Sequence, residues 1–149
     1  MKKIFSSLAC AALLLPGLFF LPAASQAKDS SVTAEWLENV PNLGRHSTFM
    51  GSDAPHKVMV VFSAKESVRD FKVLALSFRD IDQNGKAHFD VRELHALKSL
   101  DPGCPLVVSV EFIGSIPNNG ISYTDAKGKT HRFTLEQSGK DGSAILAEF

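Results

Sequence analysis

Strand-length runs recur roughly every 10 to 15 residues from Lys57 to the end of this chain, and loops rather than helical patterns separate most of them. Val58-Met59-Val60-Val61-Phe62 is continuously apolar, the form of a strand buried on both faces. Phe71 to Asp80 alternates, with Leu74, Leu76 and Phe78 on one side. Pro105 to Gly114 sets Val108, Val110 and Phe112 against Ser109 and Glu111. Ile121 to Thr124 and His131 to Leu135 alternate around Asp125-Ala126-Lys127-Gly128, which is turn chemistry. Ala144 to Phe149 closes the series, with Ile145, Ala147 and Phe149 on one face. A period of two joined by loops predicts an all-β, antiparallel, sandwich-like domain, immunoglobulin-like or similar, rather than a βαβ fold. No internal repeat stands out.

The N-terminal part divides differently. Lys2 and Lys3 precede a mostly apolar, uncharged stretch from Ile4 to Leu21, followed by small residues at Ser25 and Ala27. That is the layout of a secretory signal peptide over residues 1–27, cleaved after Ala27. Pro16, Gly17 and Pro22 argue against a membrane anchor. Residues 28–56 read as a leader, a short helix and a loop. Thr33 is the expected N-cap, Trp36, Leu37 and Val40 share a face, and Pro41 stops the helix. Residues 57–149 form the sandwich-like domain. A processed chain of about 122 residues is long enough for one core.

Charge narrows the partners. The full chain of 149 residues carries 16 Lys plus Arg and 16 Asp plus Glu. Loss of Lys2 and Lys3 leaves 14 cations against 16 anions, which excludes a basic nucleic-acid binder. No second apolar segment is long enough to span a bilayer. Cys104 alone remains after processing, so no intrachain disulfide forms, and the residue reads as a small buried hydrophobe.

One segment carries a possible metal chemistry. Asp80-Ile81-Asp82-Gln83-Asn84-Gly85 matches the first half of a calcium loop, with Asp80, Asp82 and Asn84 as the oxygen ligands. The second half does not follow: Val91 stands where the bidentate Glu belongs. The competing reading is a hairpin with Asn84-Gly85 at the centre of a two-residue turn. Pairing outward from that centre sets Asp80 opposite Phe89, Arg79 opposite Asp90 and Phe78 opposite Val91. Past Val91, the spacing of Leu94, Leu97 and Leu100 also fits a short helical turn capped by Asp90.

No catalytic residue is assigned. His46, His56, His88, His95 and His131 show no zinc spacing. Arg45-His46-Ser47 lacks a nucleophile elbow, and Ser138 to Ser143 lacks Walker spacing.

The segments Leu100-Asp101-Pro102-Gly103-Cys104-Pro105-Leu106-Val107-Val108, Ile116-Pro117-Asn118-Asn119-Gly120-Ile121-Ser122-Tyr123, Gly128-Lys129-Thr130, Phe133, Ser138-Gly139-Lys140-Asp141-Gly142-Ser143 and Glu148-Phe149 resemble a family of small exported bacterial proteins and lipoproteins of uncharacterised function. The resemblance covers roughly Lys57 to Phe149 and implies a β-rich domain without implying an activity. Its distinctive residues fall in loops, where binding function tends to sit. Asn118, Asn119, Lys140 and Asp141 are therefore the candidate binding residues. The competing account is that Asn119-Gly120 and Asp141-Gly142 supply positive φ at turns. The expected function is an exported, periplasmic or secreted, binding module with no cofactor, whose partner is an envelope or extracellular protein. A calcium-binding exported protein is the alternative, and an enzyme with a spatially assembled site is a third.

Overall fold

The computed structural model describes residues 30–149. The expected signal peptide over residues 1–27 lies outside them. Nine strands follow in order: β1 (Val32–Trp36), β2 (Ser47–Met50), β3 (Val58–Ala64), β4 (Val68–Ile81), β5 (Ala87–Leu100), β6 (Leu106–Val110), β7 (Asn119–Thr124), β8 (Thr130–Gln137) and β9 (Ala144–Glu148). They form a four-stranded sheet of order β1-β3-β6-β2 and a five-stranded sheet of order β5-β4-β7-β8-β9. Every pairing is antiparallel except that of β2 with β6. Among the described residues no helix is long and apolar enough to cross a membrane.

One core lies between the sheets. Val32, Val60, Phe62, Leu106 and Val108 enter it from the first sheet; Phe71, Val73, Ile121, Tyr123, Phe133, Leu135 and Leu146 enter from the second. Phe62 meets Phe71 across the layers with ring centroids 5.9 Å apart. The expected continuous run in β3 is buried at Val60, Val61 and Phe62.

The short helix expected from Thr33 is absent. Thr33 to Trp36 belong to β1, and only Leu37–Asn39 form a single 3-10 turn. Burial decides this. Val32 and Ala34 are buried while Glu35 is exposed, a period of two that satisfies the edge of β3 through pairs such as Ala34 with Phe62. Tertiary pairing overrides the local capping signal. The segment expected to be loop likewise contains β2, so residues 28–56 contribute two strands to the first sheet.

The expected helical turn after Val91 is also strand. Residues three apart face opposite sides of a regular strand. Leu94 nevertheless packs on the core with Leu97 and Leu100. A bulge resolves this for Leu94 and Leu97: Val73 pairs with His95 and Leu74 with Glu93, leaving Leu94 as the extra residue. Leu97 and Leu100 follow their partners Phe71 and Val68, both buried on either side of the positive-φ Asp70.

Candidate functional site

The polypeptide turns cluster at the two ends of the sandwich, and the end reached by the last residues of β1 and β6 is the more open. The 3-10 turn after Trp36, the β6–β7 connection over residues 111–118 and the β8–β9 connection over residues 138–143 meet there. One hydrogen bond joins the first of these to the last, and two more close the β6–β7 connection on itself. The indole N–H of Trp36 donates to the Gly142 carbonyl at 2.7 Å. The side-chain amides of Asn118 and Asn119 donate to the Glu111 carbonyl at 2.9 and 2.8 Å.

Between these loops runs an open groove of about 470 Å³, walled by Trp36, Leu37, Val58, Met59 and Phe112, with Glu38, Lys57 and Gln137 at its rim. Trp36 and Phe112 stand edge to face, centroids 5.7 Å apart at 82°, a favoured arrangement for aromatic pairs. Phe112 and Gln137 also line a second hollow of about 290 Å³ with Ile116, Pro117 and Leu135. The two spaces share a wall and make one apolar trough with charges of both signs at its margin. Val58 and Ile116 are exposed there at 39% and 51%. Such a surface suits an apolar group with a few polar contacts.

The candidate residues of the sequence stand at this end. Asn118 and Asn119 line a smaller cleft of about 240 Å³ beside Ser109, Glu111 and Arg92. Asn119 is buried, and its amide also donates to the Asn118 side chain at 3.0 Å. Both therefore brace the loop. Asp141 accepts the Ser143 hydroxyl at 2.7 Å and its N–H at 3.1 Å, which holds its carboxyl well below the usual range, at about 2. Lys140 is exposed. Its amide N–H donates to the Ser138 hydroxyl at 3.2 Å. The 138–143 loop thus presents a charged rim and steadies Trp36 from behind.

Turn geometry explains only one of the two glycine dipeptides. Gly142 has a φ of 73°. Gly120 does not have positive φ; it lies inside β7, where an added Cβ would strike the Phe133 carbonyl and sit 2.9 Å from Leu76 Cδ1. Close approach, not a turn, requires it.

The Asp80 segment is a hairpin, shifted from the expected register by one residue near the turn and by two beyond the Arg79 bulge. Ile81 pairs with Ala87, Asp80 with His88, Phe78 with Phe89 and Leu76 with Val91, with a bulge at Arg79. Arg79 still reaches Asp90, donating from Nε at 3.0 Å. Asp82 Oδ1 accepts the N–H of Asn84 and of Lys86 at 2.8 and 2.9 Å. Asn84 sits exposed in the turn. Among the described residues no three His, Cys, Asp or Glu side chains gather as a metal cluster.

Two features escaped the sequence reading. Trp36 was assigned to a helix face, although it is the only tryptophan and adjoins a loop end. The series Asp-x-x-Gly-Lys-x-His occurs at Asp82–His88 and again at Asp125–His131. Both copies fold into the same turn. Asp125 accepts the N–H of Lys127 and of Lys129 at 2.9 Å each, and each Asp faces its His, at 3.3 and 2.8 Å. Aligning the two glycines would have found it.

No protein-family model, curated protein or solved structure matches this chain.

Proposed function

We propose that the chain is an exported binding module of the cell envelope, periplasmic or secreted after loss of residues 1–27, and that it recognises a protein partner through the Trp36–Phe112 trough. The observation that carries this reading is the trough itself. A half-buried tryptophan and a half-buried phenylalanine, both packed against the margin of the core, meet edge to face there, and the indole N–H is fixed by the Gly142 carbonyl. Aromatic anchors of this kind, ringed by polar groups, dominate protein recognition. Asn118 and Asn119 brace the connection that carries Phe112, and Lys140 and Asp141 stand on the loop whose Gly142 carbonyl holds Trp36.

Trp36 provides its own probe, because the chain has one tryptophan. Tagged processed protein is used to capture partners from the envelope fraction, and the isolated partner is then titrated against Trp36 fluorescence. Binding should shift that emission, and Phe112→Ala should weaken capture at least tenfold, an ordinary loss for an anchor residue, with the melting temperature little changed. Equal capture by Phe112→Ala, or silent Trp36 emission at saturation, refutes the assignment.

A further inference from the structure

The β4–β5 hairpin is longer than the sheet that carries it. β7 pairs with β4 from Arg69 to Ala75, and the Leu76 N–H bonds the Asn118 carbonyl at 2.9 Å. β4 then runs on to Ile81 and β5 returns from Ala87. Over that stretch, among the described residues, the hairpin is a two-stranded ribbon. Such a ribbon is marginal in water without a third strand. Its apolar residues are only partly covered: Phe89 meets Phe149 edge to face at 5.3 Å, while Phe78, Val91 and Ile81 are exposed at 43%, 40% and 62%.

β5 is the terminal strand of its sheet, so its outer edge presents unpaired N–H and C=O groups. Proteins commonly blunt such edges with lysine, proline or a bulge. On β5 those devices, the Leu94 bulge and Lys98, sit over the sandwich. The stretch Ala87 to Glu93 has no lysine, proline or bulge of its own; its defences are the charges of Asp90, Arg92 and Glu93 and the Arg79 bulge across from it on β4.

That stretch is complementary to itself in charge in one register, which also sets Phe89 opposite the partner's Glu93. Antiparallel pairing of β5 with a second β5 about Val91 places Val91 opposite Val91 of the partner subunit. It places Asp90 opposite the partner's Arg92, and Arg92 opposite the partner's Asp90. Both ion pairs fall on one face, and the Val91 pair joins the Phe78–Phe89 face, whose rings lie 6.2 Å apart. Moving the centre by one residue sets Asp90 or Arg92 against itself. Moving it by two sets Glu93 against itself, or Arg92 against Lys86. Opposed like charges are destabilising across strands.

The geometry points to the β4–β5 arm as a homodimerisation element, in which a second copy of this chain adds its β5 antiparallel to this one about a two-fold axis at Val91. The ribbon then becomes four-stranded, and each arm gains the strand it lacks.

Sedimentation velocity on the purified processed chain tests this. The protein should run as a concentration-dependent dimer. Arg92→Asp and Asp90→Arg should each raise the dissociation constant about tenfold or more, since each inverts two reciprocal pairs. An equimolar mixture of the two variants restores complementarity and should return the dimer. Circular dichroism of each variant alone verifies that the arm remains folded. In a Cys104→Ser background, Val91→Cys should oxidise to a covalent dimer, because directly opposed strand residues lie within disulfide range, whereas Ala96→Cys should not. A monomer at every concentration overturns the proposal. So does a dimer indifferent to Arg92→Asp, a mixture that fails to restore association, or a monomer that takes up an added extended peptide at this edge instead.

Discussion

The carboxylate of Asp125 lies 2.8 Å from Nε2 of His131 while its other oxygen holds two backbone N–H groups of its own turn. The His131 contact and then the Lys129 N–H lower the Asp125 pKa. Backbone N–H groups, that of Lys86 foremost, lower that of Asp82, and the Ser143 hydroxyl foremost brings Asp141 to about 2. A carboxylate with a depressed native pKa contributes stability above its unfolded value and loses it as pH falls through the native one. The urea midpoint should therefore drop between about pH 4, the unfolded carboxylate value, and about pH 2. Asp125→Asn should lower the neutral midpoint and make that drop shallower. An acid limb as steep as wild type contradicts the account.

Two glycine substitutions should separate crowding from backbone strain. Gly120→Ala pushes a methyl against the Phe133 carbonyl and Leu76 and should cost about 2 kcal/mol in urea unfolding, the usual scale of overpacking. Gly128→Ala meets open space but must hold a φ of 83°, and should cost about 1 kcal/mol. Reversal of that order would argue that β7 and β8 can separate to admit a side chain.

Tyr123 ties the start of the described chain to the second sheet. Its hydroxyl contacts Ser30 Oγ at 3.1 Å and the Ser31 N–H at 3.1 Å, and burial raises its pKa. Tyr123→Phe keeps the ring and orphans those groups, which should cost about 1 to 2 kcal/mol. Hydrogen exchange should accelerate at Val32 to Ala34 ahead of β6. Unchanged exchange in β1 would mean the latch carries no load.

Calcium should leave the melting temperature where chelator leaves it. Asp82 Oδ1 already accepts two N–H groups, and Val91, where a closing carboxylate would stand, sits in β5 opposite Leu76. A rise of several degrees, abolished by Asp82→Asn, would reinstate a bound cation through ligand linkage.

The strands were legible wherever burial has a period of two or is continuous, as in β3, β6, β8 and β9. Thr33 and Glu35 misled because capping residues and exposed strand residues are drawn from the same polar set. Leu94 and Leu97 misled because a bulge lets residues three apart share a face. The hairpin at Asn84-Gly85 was readable, but its register was not: three residues, Gln83 to Gly85, make the turn between Asp82 and Lys86, and the Arg79 bulge adds a second shift. Trp36 and Phe112 are far apart in sequence, and the order β1-β3-β6 within the first sheet brings their rings together. The candidate residues Asn118, Asn119, Lys140 and Asp141 were found as loop residues; that their loops share one end of the sandwich is a property of the topology.

The parallel contact of β2 with β6, Ser47 beside Leu106, sets a timetable. A chain that emerges N-terminus first makes β2 long before its only neighbour in the sheet exists. β1 waits for β3, β3 gains its inner neighbour only with β6, and β2 waits longest. Long-range pairings of this kind slow folding and leave apolar edges uncovered meanwhile. The β4–β5 hairpin, by contrast, joins neighbours through a short turn and can form as soon as it is made. All four strands of the first sheet have emerged by Val110, before β7, β8 and β9 of the second, and the end of the molecule that holds Trp36, which needs the Gly142 carbonyl, is completed last.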